Sequence, residues 1–412
     1  MRAIFINRFY WPDEPATAQL LTDLAEALAA RQLAVVVITS HPASPAVPAA
    51  ETRRGVRILR VRGSRWAGRL GLVGKAADYG SFYVAALWRL ALTAQRGDLV
   101  VAMTDPPLLG VGAWVIAGLR RTRLVHWAQD IYPELAIELA GQRWLRVLRP
   151  LRNLAWRRAD RCVTLGADMA AVFAEAGVSG AKLSVAPNWA PAGLTPQPAR
   201  SADALRTAWG LTDKFVVAYS GNLGRVHDLT PVLAVAEALR DEPRIAFVFI
   251  GAGAQRGALQ ADASRRGLSN IQFRPPQPRT HLAAALALGD VHLVTLLPGC
   301  ARYVFPSKLA GVAAVGRPVV FIGPRDSEIA RLVTAPHRAF GYAFDRADTA
   351  AIAAALRTLA HDPAACTRLG SAAAGFAAAT GTAASAAARW HAWLAPCELA
   401  APALPPLNSA SP

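Results

Sequence analysis

The sequence predicts an α/β chain built as two Rossmann-like lobes facing a central cleft, and three observations carry that expectation. Short apolar runs alternate with helical patterns through the first half; the same alternation restarts near Phe215; and a Pro/Ala-rich stretch, 190–202, separates the two series. At 412 residues the chain has room for two domains of ordinary size, each with its own core. The expected division is 1–190 for the first lobe and 204–395 for the second, with 396–412 a Pro/Ala/Ser tail of a composition that stays disordered.

In the first lobe, strands are expected at 3–6, 34–39, 56–61, 98–102, 124–128, 161–165 and 183–186. Helices fall between them at about 16–31, 82–93, after Pro107 and at 144–158, which is the βαβ rhythm of a parallel sheet. In the second lobe the strands are 215–219, 246–250, 271–273, 291–295 and 319–322, and the alanine-rich stretch 371–394 reads as terminal helices. No internal repeat appears beyond the two halves.

Composition narrows the function classes. The hydrophobic fraction is 53%, yet no run of some 20 apolar residues stands out, and the stretch 108–119 is too short to span a bilayer. The chain opens on a short strand rather than on a charged and then apolar leader, so export is not expected. Cys162, Cys300, Cys366 and Cys397 are scattered without metal-ligand spacing and fit reduced thiols in a cytoplasm. The net charge of +17 calls for an anionic partner. Arg53, Arg54, Arg57, Arg60, Arg62, Arg65, Arg69 and Lys75 follow one another without an acidic residue. A second cluster, RWLRVLRPLRNLAWRR, spaces Arg143, Arg146, Arg149 and Arg152 three apart among apolar residues, as in a basic amphipathic helix on anionic lipid, with Pro150 expected to kink it. Nucleic acid is not favoured, because no recognition module is present.

The stretch VFPSKLAGVAAVGRPV starts a helix at Pro306 and Ser307, stops it at Gly316, and leads into a strand followed by the loop GPRDSEIARLV. Ser307, Lys308 and Glu328 therefore face one side of an α/β unit, as a phosphorylated ligand requires. After the second lobe's first strand stands SGNLGRVHDL, where Gly221 and Gly224 let the backbone approach a ligand and Arg225 can add charge-assisted hydrogen bonds to a diphosphate. Gly251-Ala252-Gly253 follows another strand, but the chain's first strand lacks the glycine fingerprint of a nicotinamide-dependent enzyme. In the first lobe Asp130 and Glu134 follow a parallel strand at its carboxyl end, where α/β active sites are built. Asp130 and His126 are the catalytic candidates, and Glu14 and Glu134 the acceptor-side ones.

Taken in order, RFYWPDEPATAQL, TDPPLLG, WAQDIYPELA, APNWA, YSGNLG, IGAGAQRGAL and FPSKLAGVAAVGRPV resemble retaining family-4 glycosyltransferases of bacterial polysaccharide assembly, in the colanic-acid and fucosamine-transferase branch. The resemblance implies a GT-B fold. The second lobe would hold a nucleotide-sugar donor, the first a lipid-linked saccharide acceptor, and the last helix would cross back. Gly221, Asn222, Gly224, Arg225, Ser307 and Lys308 would cradle the diphosphate, with Glu328 near the ribose or donor sugar. It implies no cofactor and no metal, retention through front-face attack, and a cytoplasmic enzyme peripheral to the inner membrane. Three departures stand out: Tyr303 and Gly311 occupy the places of the usual glutamate pair, Arg225 is followed by Val226-His227-Asp228 so that the usual arginine-then-lysine pair after the glycine loop is incomplete, and Pro15-Ala16-Thr17-Ala18 replaces the usual first-lobe glycine pair. A nucleotide-sugar epimerase of the same fold, or a silent scaffold of a polysaccharide-assembly complex, are the alternatives.

Overall fold

The computed structural model describes residues 1–42, 47–64, 66–198 and 201–394. The expected tail, Cys397, Arg65 and residues 199–200 of the linker lie outside them. The first lobe runs β1 (Arg2–Ile6), α1 (Ala16–Ala30), β2 (Ala34–Ser40), β3 (Ala50–Arg53), β4 (Val56–Val61), α2 (Ala67–Thr93), β5 (Leu99–Ala102) and α3 (Leu109–Arg120). It continues with β6 (Arg123–Trp127), α4 (Glu134–Ala140), α5 (Arg149–Arg158), β7 (Arg161–Thr164), α6 (Ala167–Glu175) and β8 (Leu183–Val185). The second begins with α7 (Asp203–Ala208), β9 (Phe215–Ser220), α8 (Thr230–Ala238), β10 (Ile245–Ile250), α9 (Arg256–Arg265), β11 (Ile271–Arg274), α10 (Leu282–Ala287) and β12 (Val291–Thr295). Then come α11 (Lys308–Ala314), β13 (Val319–Ile322), α12 (Glu328–Val333), β14 (Gly341–Phe344), α13 (Thr349–His361), α14 (Pro363–Thr380) and α15 (Ala383–Leu394).

The strands form an eight-stranded sheet in the order β3-β4-β2-β1-β5-β6-β7-β8 and a six-stranded sheet in the order β11-β10-β9-β12-β13-β14. Pairing is parallel except for β3 on β4. The short apolar runs become strands because helices cover both faces of each sheet, so side chains of either parity are buried. Residues Ile4, Ile6 and Val100 pack under α2 and α3, whereas Phe5, Val37 and Val101 pack under α1 and α15. The polar edge strand β3, sequence AETR, carries no apolar run to announce it.

Three departures from the sequence reading have local causes. Helix α2 starts 15 residues before the expected 82, at Ala67, despite several glycines. Buried Asp78 ties its entry, accepting hydrogen bonds from Trp66 N and Ser64 Oγ at 2.8 Å each. Pro150 does not kink a long helix. Residues Arg143–Leu148 form a 3-10 turn, and Pro150 lies in the first turn of α5, where its missing N–H costs nothing. The basic stretch after Arg53 is not a free patch either. Arg53 and Arg54 both pair with Glu26, and buried Arg60 pairs with Glu51 at 2.6 Å.

The lobes meet at the carboxyl ends of their strands. Asp130 forms an antiparallel bridge with Val304, and Ile131 N donates to Tyr303 O at 2.8 Å. Helix α15 returns to the first lobe and packs on α1; Trp390 lies 4.9 Å from Trp127 between ring centroids, and Arg123 donates to Leu394 O. The stretch 204–395 is thus not wholly one lobe, because its last helix completes the first lobe's core.

Candidate active site

The second-lobe half of the cleft is built from two glycine loops packed backbone to backbone. Gly221 N donates to Ile250 O at 2.9 Å and Leu223 N to Ala252 O at 2.8 Å. Gly251 has φ +153°, and a Cβ there would stand 2.0 Å from Gly221 O, so the close approach excludes any side chain. The second glycine loop therefore shapes the first. Asn222 lies against Gly224 and Gly253, and its carbonyl accepts from Tyr219 Oη at 2.9 Å. Arg225 is exposed on the same loop.

Lys308 opens α11, with exposed Ser307 at the N-cap position. Its Nζ is buried, has no hydrogen-bond partner, and sits 3.5 Å from the centroid of the Tyr219 ring. Burial holds this ammonium well below the ordinary lysine range. Ser220 Oγ and Thr295 Oγ1, at the ends of β9 and β12, are also buried without partners. His227 Nδ1 lies 2.7 Å from Thr295 O, and burial, then Lys308, depress its pKa to about 3, so it is a neutral donor to that carbonyl. Native interiors rarely leave so many polar atoms unpaired. Unpaired donors beside a glycine loop suit an anion.

The first-lobe half collects residues from three strand ends. Thr104 Oγ1, after β5, accepts from Gln129 N at 3.3 Å and Asp130 N at 3.2 Å, both after β6. Arg8, after β1, donates its backbone N–H to Asp105 O at 2.8 Å and lays its guanidinium 4.6 Å from the Tyr79 ring centroid. Burial lifts the Asp105 carboxyl to about 6, with Arg8 opposing. Burial and the charge of Asp105 lift Asp130 to about 7. Two buried carboxyls and one arginine thus gather just beyond the carboxyl ends of β1, β5 and β6, beside the bridge from Asp130 to Val304 of the second lobe.

The other first-lobe candidates have different surroundings. His126 lies in β6 and borders, with Asp130, Gly110 and Trp156, a cavity of about 30 Å³. Burial lowers its pKa to about 4, so it is neutral. Glu134 is buried at the start of α4, paired with Arg152 at 2.8 Å and with Arg149 at 3.0 Å. Glu14 is exposed between β1 and α1, where its carbonyl accepts from Gln19 Nε2. Glu328 does not point into open cleft. Its Oε2 accepts from Asp168 N at 3.1 Å while its own N donates to Asp168 Oδ2 at 2.6 Å, so α12 and α6 cap each other across the lobes. Arg331 also pairs with Asp168 at 2.5 Å.

Tyr303 packs against the cores of both lobes, and Gly311 is buried in α11, where a Cβ would meet Leu286 at 3.4 Å. Neither place offers a carboxylate, and both are filled by packing. Sequence reasoning missed Arg8, Tyr79, Asp105, Tyr219 and Thr295. Their positions at or just beyond parallel-strand ends were the available signal for all but Tyr79, which α2 supplies.

Comparison with known proteins agrees with this architecture. The profile of the glycosyl transferase 4-like domain matches residues 17–189, and that of glycosyl transferases group 1 matches 214–362. The chain is similar to WcaI of Escherichia coli K12, named as a colanic acid biosynthesis glycosyl transferase: 30% identical over 349 residues, 81% of this chain and 86% of that protein. It is 29% identical to the glycosyltransferase WbjE of Pseudomonas aeruginosa over 61% of this chain and 64% of that protein. Among solved structures, HepE of Anabaena in complex with UDP and glucose superposes with TM-score 0.72 at 16% identity, covering 96% of this chain and 99% of that one. Sucrose-phosphate synthase of Thermosynechococcus elongatus gives 0.76 at 17%, covering 95% and 98%. With glycosyltransferase domains matched in both halves, a relative of that similarity over most of its length, and two parallel sheets meeting at one cleft, the chain belongs to the family-4 glycosyltransferases and has their GT-B fold.

Proposed function

We propose that this glycosyltransferase moves a hexose or acetamidosugar from a nucleotide-diphosphate donor to a lipid-linked saccharide, with retention, in exopolysaccharide, O-antigen or colanic-acid-type biosynthesis. The observation that carries the reading is the partnerless, buried Nζ of Lys308 beside the Gly221 loop. Gly221, Asn222, Gly224, Arg225, Ser307 and Lys308 hold the diphosphate, and Lys308 and Arg225 supply the positive charge, so the reading needs no metal. In the transfer the bond from the sugar's anomeric carbon to the β-phosphate oxygen breaks, and the acceptor oxygen bonds to that carbon on the same face. The acceptor's proton passes to the departing phosphate. Lys308 is preorganised for the charge that develops there, in a site shielded from water.

Asp130, with Asp105, orients the acceptor hydroxyl, and neutral His126 lines the cavity that Asp130 also borders. Glu14 and the Glu134 ion pair shape the acceptor side, and Glu328 holds the lobes closed over the donor sugar. The solved complexes of HepE with UDP, and the name of WcaI, support the donor and pathway classes. Work on a lipid-linked acceptor places the enzyme at the cytoplasmic membrane face, as a peripheral protein. Among the described residues no helix is long and apolar enough to cross a membrane. Calorimetric titration with UDP, GDP and dTDP tests the donor site. Binding of at least one, weakened in Lys308→Met, is expected; no binding of any sinks the reading.

A further inference from the structure

The exposed large apolar side chains are confined to one region. Apart from Met1, all of them fall between Trp66 and Leu151, and the second lobe contributes none among the described residues. On α2, Val73, Val84, Trp88 and Leu92 recur at intervals of eleven, four and four, which is one face of a helix. They are 72%, 69%, 68% and 59% exposed. The opposite face, Phe82, Ala86 and Leu90, is buried in the lobe, so α2 is apolar on both sides. On α3 the same pattern gives Val115 and Leu119, and the turn before α5 gives Trp144, Val147 and then Leu151. Helix α2 packs on α3 and α3 on α5, side by side over one sheet face. Their outward stripes therefore form one surface, about 30 Å long on α2 alone.

Arginine accompanies this surface without exposed carboxylates. Arg143 and Arg146 are exposed beside Trp144 and Val147, and Arg120 and Arg121 end α3. Neither α3 nor residues 143–158 contain an acidic residue, and Asp78, the acidic residue of α2, is buried. A second copy of the same face would bring arginine against arginine. An anionic bilayer satisfies both features, since tryptophan and arginine favour the headgroup level and the aliphatic residues the acyl boundary.

We propose that the outward faces of α2, α3 and the 143–151 segment lie in the headgroup layer of an anionic bilayer, held by apolar insertion as well as by charge. The surface leads toward the acceptor carboxyls, because Tyr79 of α2 lies under Arg8, whose backbone bonds to Asp105. This rests on the proposed function for its lipid-linked acceptor, but its test is separate.

The full chain is floated with vesicles of phosphatidylglycerol and phosphatidylethanolamine, or of phosphatidylcholine alone, at low salt and at about 1 M, where charge attraction is screened within about 3 Å. Binding to the anionic vesicles that is weakened but not abolished by salt is expected. Trp88→Ser with Leu92→Ser should lower partitioning about tenfold or more at both salts while leaving calorimetric UDP binding unchanged. No binding at low salt, complete release at high salt, or equal partitioning of the double variant would overturn the proposal. So would a dimer, seen by sedimentation, that the double variant abolishes and vesicles do not compete away. Vesicle binding without any nucleotide binding would support this face and defeat the donor reading instead.

Discussion

Replacing Lys308 by methionine separates a ligand-directed lysine from a packed one. The side chains have similar length, so the exchange keeps the volume over Tyr219 and removes the buried, partnerless Nζ. An unpaired buried polar group costs about 1–3 kcal/mol. The contact with the Tyr219 ring returns about 1 kcal/mol of that. The unliganded variant should therefore be more stable by about 1 kcal/mol, which raises Tm by about 2–4 °C for a domain of this size. Nucleotide binding should move the other way. Losing one charge-assisted hydrogen bond, about 1.5–3 kcal/mol, weakens UDP by about ten- to hundredfold. The pH dependence has a defined sign. Folding holds the amine below its unfolded pKa, so between the folded and the unfolded value the unfolded chain binds more protons and wild-type stability rises with pH; the variant loses that slope. Thermal melts across pH, with calorimetry for UDP, read all three. A Tm lower by several degrees with unchanged UDP affinity would show that Lys308 is part of the core and refute the reasoning.

Asp105→Asn removes the charge that helps lift Asp130, so the acid limb of the transfer rate, set near pH 7 in the wild type, should move to lower pH; an unmoved limb separates the two carboxyls. The same pair makes wild-type stability fall as pH rises from about 4 to 7, because the folded state then holds more protons than the unfolded one, and melts of Asp105→Asn should show a shallower fall. Glu328→Ala breaks the mutual capping of α12 and α6, so small-angle scattering of the unliganded protein should show a larger radius of gyration; an identical profile would mean that the capping does not hold the lobes together. Gly251→Ala would bring a Cβ to 2.0 Å from Gly221 O and force that carbonyl away, which should cost about 2 kcal/mol and weaken UDP; wild-type melting and affinity would contradict the backbone packing of the two loops.

The two-lobe architecture was legible because parallel strands buried on both faces are continuous apolar runs. The runs at 56–61, 291–295 and 319–322 became β4, β12 and β13 without change of boundary. Strand β3 was hidden because an edge strand needs no apolar run, and the early part of α2 because its glycines argue against a helix that only Asp78 and packing secure. Lys308 could be singled out from the helix start that precedes it. That its Nζ is buried on Tyr219, 89 positions away, follows only from the order β9-β12-β13. Arg8 joins Asp105 and Asp130 for a similar reason: β1 lies beside β5 in the sheet although β2, β3 and β4 come between them in the chain. Charge was the least legible quantity. The arginines from Arg53 onward read as one patch, yet Arg53, Arg54 and Arg60 are engaged in ion pairs with Glu26 and Glu51.

The central claim is transfer of a sugar from a nucleotide-diphosphate donor to a lipid-linked acceptor, and radiolabelled UDP-, GDP- and dTDP-sugars offered with a bacterial lipid extract test it most directly. At least one donor should release nucleoside diphosphate in step with label that partitions into the organic phase, and Lys308→Met should reduce both together. Nucleotide release without label in lipid, or no turnover of any donor, would contradict it.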